Sequence, residues 1–196
     1  MNYRTFYVLA IVVLLGCKTP FSTRKPEKPK SEQSSWIQPT SPSFVMANLR
    51  NAIAEKNVTN YLRCLADTGH TLKLFRFFPE PSVANAYPGL FDKWGKEQEQ
   101  NYFSQLLFYM PEDSSSELAL NLLQENIFQD SVVMLNEYEL KCRYQCSDSH
   151  CLHKTAGQAE FRLLRTSEDF WYIYRWNDYA TGADPAWSEL KAYFGK

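Results

Sequence analysis

The chain has 196 residues, with 21 basic and 22 acidic side chains and a formal net charge of −1 at pH 7. That balance excludes nucleic-acid binding driven by excess positive charge. Aromatic residues make up 15% of the chain, enough for rings to dominate a single core of ordinary size. The first five residues, MNYRT, contribute one positive charge, Arg4, and the uncharged run FYVLAIVVLLG follows from Phe6 to Gly16. As a helix rising about 1.5 Å per residue, this run crosses roughly half of a hydrocarbon core about 30 Å thick. It fits the apolar region of a secretory signal and is too short for a stable span.

The run closes on Leu14-Leu15-Gly16-Cys17. This resembles the lipobox of bacterial lipoproteins, with a Leu three residues before the cysteine and a small residue just before it. The resemblance implies a signal peptide over residues 1–16, cleavage after Gly16 and acyl chains on Cys17, which anchor the mature protein in the lipid bilayer. Two or three acyl chains make a stable anchor where one does not. By analogy with sorting in enteric bacteria, Lys18 in place of an Asp favours the outer membrane of the envelope. Residues 17–40 are rich in Pro, Lys, Ser and Thr, and their few apolar residues, Phe21, Trp36 and Ile37, follow no period. Such a segment is expected to be a disordered, extended, basic tether.

The folded domain is expected over residues 41–196. Ser41 is a candidate N-cap with Pro42 at the first helical position, and Val45, Leu49, Ala52 and Ile53 form an apolar stripe. A second short helix begins after Asn57, with Val58, Tyr61, Leu62 and Leu65 inward. Thr71 to Phe78 reads as a strand with Leu72, Leu74 and Phe78 on one face, stopped by Pro79 and Pro81. A loop leads to a third helix carrying Tyr102, Phe103, Leu106, Leu107 and Met110, whose start, DKWGKEQEQ, reads as solvated. The period then becomes two: Leu118, Leu120, Leu122; then Val132, Met134, Tyr138, Leu140, Cys142; then Ala159, Phe161, Leu163. FWYIYRW, with rings on both faces, reads as a central strand. Asp184 and Pro185 are expected to open a closing helix that ends before Gly195.

This order gives an α+β domain with helices packed on an antiparallel sheet. The opening SPSFVMANLRNAIAEKNVTNYLRCLAD, the late WYIYRWND and the closing WSELKAYF resemble the NTF2-like (cystatin-like, SnoaL-type) superfamily. There a curved antiparallel sheet wraps around helices as a cone. The resemblance implies fold rather than activity. It also implies that a homodimer through the sheet is a reasonable expectation, and that a base, where one is used, is an Asp or His inside the cone.

Four cysteines remain after Cys17: Cys64, Cys142, Cys146 and Cys151. In an oxidising compartment disulfides are the default. If Cys146 faces Cys151 across a hairpin, Met134 faces Leu163 and Tyr138 faces Ala159, and the apolar faces of both strands coincide. A Cys146–Cys151 bridge follows as a candidate. Cys142 lies roughly 13 Å from Cys146 along a strand, too far for a bridge, so it pairs with Cys64 or stays reduced. His150 and His153 flank Cys151, but the segment lacks the paired two-residue spacing of structural zinc sites, so neither metal nor cofactor is expected.

Candidate polar residues for a cavity are Asp67, His70 and Asp178, although DTGH and RWND also read as plain turns. No Ser-His-Asp order, phosphate loop or HExxH motif occurs. The expected function is a non-catalytic envelope lipoprotein that binds a small apolar ligand or an envelope protein in an aromatic-lined cone. An NTF2-like enzyme using Asp67, His70 or Asp178 and a structural component of an envelope assembly are the alternatives.

Overall fold

The computed structural model describes residues 34–146 and 151–195. The lipobox and Cys17 lie outside the described residues. The elements are α1 (Pro42–Ala54), α2 (Val58–Arg63), β1 (Arg76–Phe78), α3 (Pro81–Ala86), α4 (Lys96–Phe108), β2 (Ser116–Ile127), β3 (Ser131–Cys142), β4 (Lys154–Arg165), β5 (Trp171–Tyr179) and α5 (Trp187–Phe194). One five-stranded sheet has the order β1-β5-β4-β3-β2, with β1 parallel to β5 and every other pair antiparallel. No helix among the described residues is long and apolar enough to cross a membrane.

Local chemistry sets the helix starts. Ser41 caps α1 by accepting from the Phe44 amide, and Asn57 caps α2 by accepting from the Asn60 amide, each satisfying a donor the helix cannot. The stripe Val45, Leu49, Ala52 and Ile53 is buried as its spacing requires. Glu80 caps α3, a short helix where the sequence reads as loop, through the Ser82 and Val83 amides. The closing helix begins two residues later than expected, with Ala186 as its N-cap; Asp184 instead pairs with Lys154 at 2.9 Å.

Period two is obeyed on the inner face of the sheet. Val132, Met134, Tyr138, Leu140 and Cys142 of β3 are buried beside Phe161, Ala159 and Leu163 of β4. The β3–β4 register differs from expectation by two residues: Met134 faces Phe161, Asn136 faces Ala159 and Tyr138 faces Gly157. A shift of two keeps the same side chains on the same face, so burial alone does not distinguish the registers. Gly157 does. A Cβ there would sit 2.4 Å from the Tyr179 carbonyl oxygen and 3.0 Å from the Tyr138 hydroxyl, so only glycine lets the Tyr138 ring cross that position.

The first strand is also corrected. It is only three residues long, and Phe75 and Phe77 are buried while Leu72, Leu74 and Phe78 are exposed. The larger rings take the interior, where Phe77 meets Phe91, Trp94 and Trp176. The outer face carries a polar ladder: Arg162 to Glu160 at 2.7 Å, Asn177 to Glu160 at 2.7 Å and Arg175 to Asn177 at 3.0 Å.

Residues 34–40, placed by composition in the tether, pack on the helices. Asn48 exchanges hydrogen bonds with the Ile37 backbone at 2.8 and 2.6 Å, and the Trp171 amide donates to the Pro39 carbonyl at 2.8 Å. Trp36 lies under the Arg63 guanidinium at 3.9 Å. The folded unit accordingly begins at Ser34.

Cys146 and Cys151 form a disulfide with a Cα separation of 6.1 Å, whereas Cys64 and Cys142 are buried free thiols. Burial pushes both thiols up, Cys142 to about 12, and so away from the reactive thiolate. Closing so short a loop is worth about 2 kcal/mol by chain entropy. A Cys146→Ser, Cys151→Ser double variant should lose about that much in urea unfolding, while Cys64 and Cys142 resist iodoacetamide until the fold opens.

Candidate functional site

Three indoles, Trp94, Trp176 and Trp187, occupy the interior of the cone together with Tyr61, Tyr102 and Phe161. Among them is an ion pair that the sequence reading missed. Glu99 of α4 and Lys191 of α5 are each 0% exposed and in direct contact. Glu99 also accepts from the Tyr61 hydroxyl at 2.7 Å and the Trp94 indole at 2.8 Å. The Lys191 ammonium sits 4.0 Å from the ring centres of both Phe77 and Trp176, where ring quadrupoles attract a cation. Burial holds the Lys191 ammonium below its ordinary value, and the Glu99 carboxylate offsets only part of that shift. Glu99, Tyr102, Phe103 and Leu106 share helical spacing, and Lys191 falls between Leu190 and Phe194. An acid and a base on apolar stripes were the legible signal.

Asp178, read as a turn residue or a cavity base, is instead buried on β5 and serves α5. It accepts from the Ser188 amide at 2.7 Å, the Ser188 hydroxyl at 2.5 Å and the Tyr138 hydroxyl at 2.8 Å. The Tyr138 oxygen in turn accepts from the Trp187 amide at 2.7 Å, so the amides that open α5 are satisfied from the sheet. Burial raises the Asp178 carboxyl despite these donors.

Asp67 and His70 lie at the rim. They line an open cleft of about 250 Å³ with Trp36, Lys96, Phe170 and Tyr172. Asp67 accepts from His70 Nδ1 at 2.8 Å, Lys96 Nζ at 2.5 Å and the Gly69 amide at 3.0 Å. Partial burial pulls this carboxyl up, but the hydrogen bonds from Lys96 and His70 outweigh it and hold it at about 2. The His70 ring stacks on Tyr172 at 5.0 Å. The structure thus brings Asp67 and His70 together and leaves Asp178 apart from them, committed to α5. Lys96 and Trp36, the one on a supposed solvated start and the other in the supposed tether, complete the cleft. At the far end, ligand atoms of Cys146, Cys151 and His153 lie within 4.8 Å of one another, but the two sulfurs are bonded together and offer no thiolate.

No protein-family model matches the sequence, and no curated protein matches it. Solved structures are similar in fold. A protein from Novosphingobium aromaticivorans, provisionally named an aromatic ring hydroxylase, is 12% identical over 76% of this chain and 92% of its own, with a TM-score of 0.55. The Kfla4162 protein from Kribbella flavida is 10% identical over 76% and 92%, with a TM-score of 0.54. A conserved protein from Planctomyces limnophilus is 14% identical over 69% and 89%, with a TM-score of 0.52. At these identities the likeness is one of fold. The chain shares with them an α+β fold, with helices packed against one five-stranded sheet.

Removing one member of a buried pair strands the other charge, at a cost of about 3–5 kcal/mol. Lys191→Met or Glu99→Gln alone should lose stability on that scale in urea unfolding, and Glu99→Leu with Lys191→Met should recover most of it. Asp67, held at about 2 in the fold against 3.8 ordinarily, contributes stability that is present above pH 4 and lost as pH falls toward 2. In Asp67→Asn, acid unfolding followed by fluorescence should lack that contribution.

Proposed function

We propose that this chain is a lipid-anchored protein of the bacterial envelope whose NTF2-like domain is a non-catalytic binding module. The observation that carries the non-catalytic reading is the commitment of both buried carboxylates. Glu99 is held by Lys191, Tyr61 and Trp94, and Asp178 by Ser188 and Tyr138. A general base needs a free lone pair facing a substrate, and these have structural donors in that place. The anchor reading rests on the lipobox resemblance at Cys17, and the disulfide supports an oxidising compartment.

Rings occupy the interior, so the binding site of this reading moves from the cone to the rim cleft. Its aromatic walls, Trp36, Phe170 and Tyr172, stand beside the charged Asp67, Lys96 and Glu168, which suits a small polar ligand with a planar group better than a purely apolar one. A second reading, an enzyme using His70 as base, is favoured by the 2.8 Å contact of His70 Nδ1 with Asp67, which leaves Nε2 for proton transfer.

Native mass spectrometry of the protein extracted from membranes tests the first reading. The expected result is a bound small molecule whose occupancy falls at least ten-fold in Trp36→Ala. A ligand retained in that variant would refute the rim site, and one returned chemically altered would favour the His70 reading. Cys17→Ser should abolish palmitate incorporation and release from membranes should follow.

A further inference from the structure

The ionisable side chains of the rim cleft are Arg63, Asp67, His70, Lys96, Glu168 and Tyr172. Much of their charge is spent among themselves. Asp67 takes Lys96 Nζ and His70 Nδ1, and Lys96 also donates to the Leu65 carbonyl at 3.3 Å. Two opposite charges are left over. Arg63 and Glu168 line the same cleft, yet neither makes an ion pair among the described residues. The Tyr172 phenol feels both of them: burial raises it first, Asp67 and then Glu168 raise it further, and Arg63 lowers it.

Their surroundings hold both in place. Arg63 ends α2 with its guanidinium 3.9 Å from the centre of the Trp36 ring. The Asn60 side chain accepts from Arg63 Nη1 at 3.2 Å and donates to the Ser34 hydroxyl at 2.5 Å, tying the arginine to the segment that carries Trp36. The planar fork of a guanidinium matches a carboxylate. Glu168 stands on the β4–β5 turn, which Thr166 closes. The Thr166 amide donates to the Phe170 carbonyl at 2.8 Å, and its hydroxyl accepts from the Phe170 amide at 3.3 Å. Asp169 adopts a left-handed φ of 62° there and pairs with Arg165 at 3.6 Å, so Glu168 is the acid of that turn left unpaired. Trp36 and Tyr172 each have one face covered, by Arg63 and His70, whereas Phe170, half-exposed in the cleft, stacks on no other ring among the described residues.

We propose that the rim cleft takes a small zwitterion with a planar ring, of the class of the aromatic amino acids, with its carboxylate on Arg63, its ammonium on Glu168 and its ring against Phe170. The inference rests on the rim-site reading and names the class of its ligand. Two opposite charges that line one cleft without touching leave a gap, and one molecule carrying both charges bridges it. A ligand with a single charge leaves the other side chain unanswered, which is a basis for discrimination. Hydrogen bonds between ionised groups are among the stronger ones. Both side chains are ordered before a ligand arrives, which lowers the cost of binding.

Calorimetric titration of the full-length chain in detergent tests this with L-phenylalanine, 3-phenylpropionate, phenethylamine and L-alanine, the last three lacking the ammonium, the carboxylate and the ring in turn. L-phenylalanine is expected to bind about ten-fold or more above each of the others, the scale of one lost charge-assisted hydrogen bond. Arg63→Gln should bring L-phenylalanine down to the level of phenethylamine and leave phenethylamine unchanged. Glu168→Gln should do the same with 3-phenylpropionate as the reference. If a probe with one charge binds as tightly as L-phenylalanine and both are lost in Trp36→Ala, the zwitterion is overturned and the rim site stands. Silence from every probe would also overturn the inference, and the membrane-extracted ligand kept or lost in Trp36→Ala would then decide the rim reading by itself. L-phenylalanine bound equally well by the parent chain and by Trp36→Ala would remove both.

Discussion

The contact between Glu99 and Lys191 organises this domain. Two opposite charges at full burial persist only when each is desolvated in company, because an isolated ion in the interior costs several kcal/mol. Here the company is specific. The carboxylate has three donors, from α2, α5 and the loop before α4, and the ammonium has two ring faces at 4.0 Å. Satisfying both ions at once fixes α4 against α5 and pins both to the rings of β1 and β5. Other apolar packings would leave a charge unpaired, so the pair selects one arrangement of the cone among many that would bury similar area.

Asp178 plays the same part at a smaller scale. A sheet strand ends in a carboxylate whose two oxygens take an amide and two hydroxyls. The helix start that lacks a side-chain cap of its own is thereby capped from the neighbouring layer. Glu80 adds a third tie, its amide donating to the Ser188 hydroxyl at 2.9 Å. The C-terminal helix is thus held by polar contacts at its first turn and by aromatic packing along its length, which is why the interior it covers is full.

Most of the fold was legible because it rests on periodicity. The stripe Val45-Leu49-Ala52-Ile53 and the alternation through β3 and β4 are local patterns, and local patterns survive into the structure. What failed were choices between equivalent alternatives. The β3–β4 register shifted by two because parity alone cannot separate registers that bury the same face, and the first strand turned over because its odd and even positions are both apolar. The site was less legible. Asp67 and His70 were found because they are close in sequence, while Glu99 and Lys191 lie 92 positions apart. Trp36 was hidden by composition, since a Pro- and Ser-rich neighbourhood describes the segment as a whole and a single indole within it can still pack.

The parallel pairing of β1 with β5 sets an order of events as the chain emerges. Phe77 finds its strand partner, Trp176, about a hundred positions later, so the first helices and β1 have no sheet to join while β2, β3 and β4 can already close on one another as a meander. Contacts of such separation are slow to form and leave apolar edges open meanwhile. A protein built this way completes its core only when its last strand and last helix arrive, and its N-terminal third must wait in an unfinished state until then.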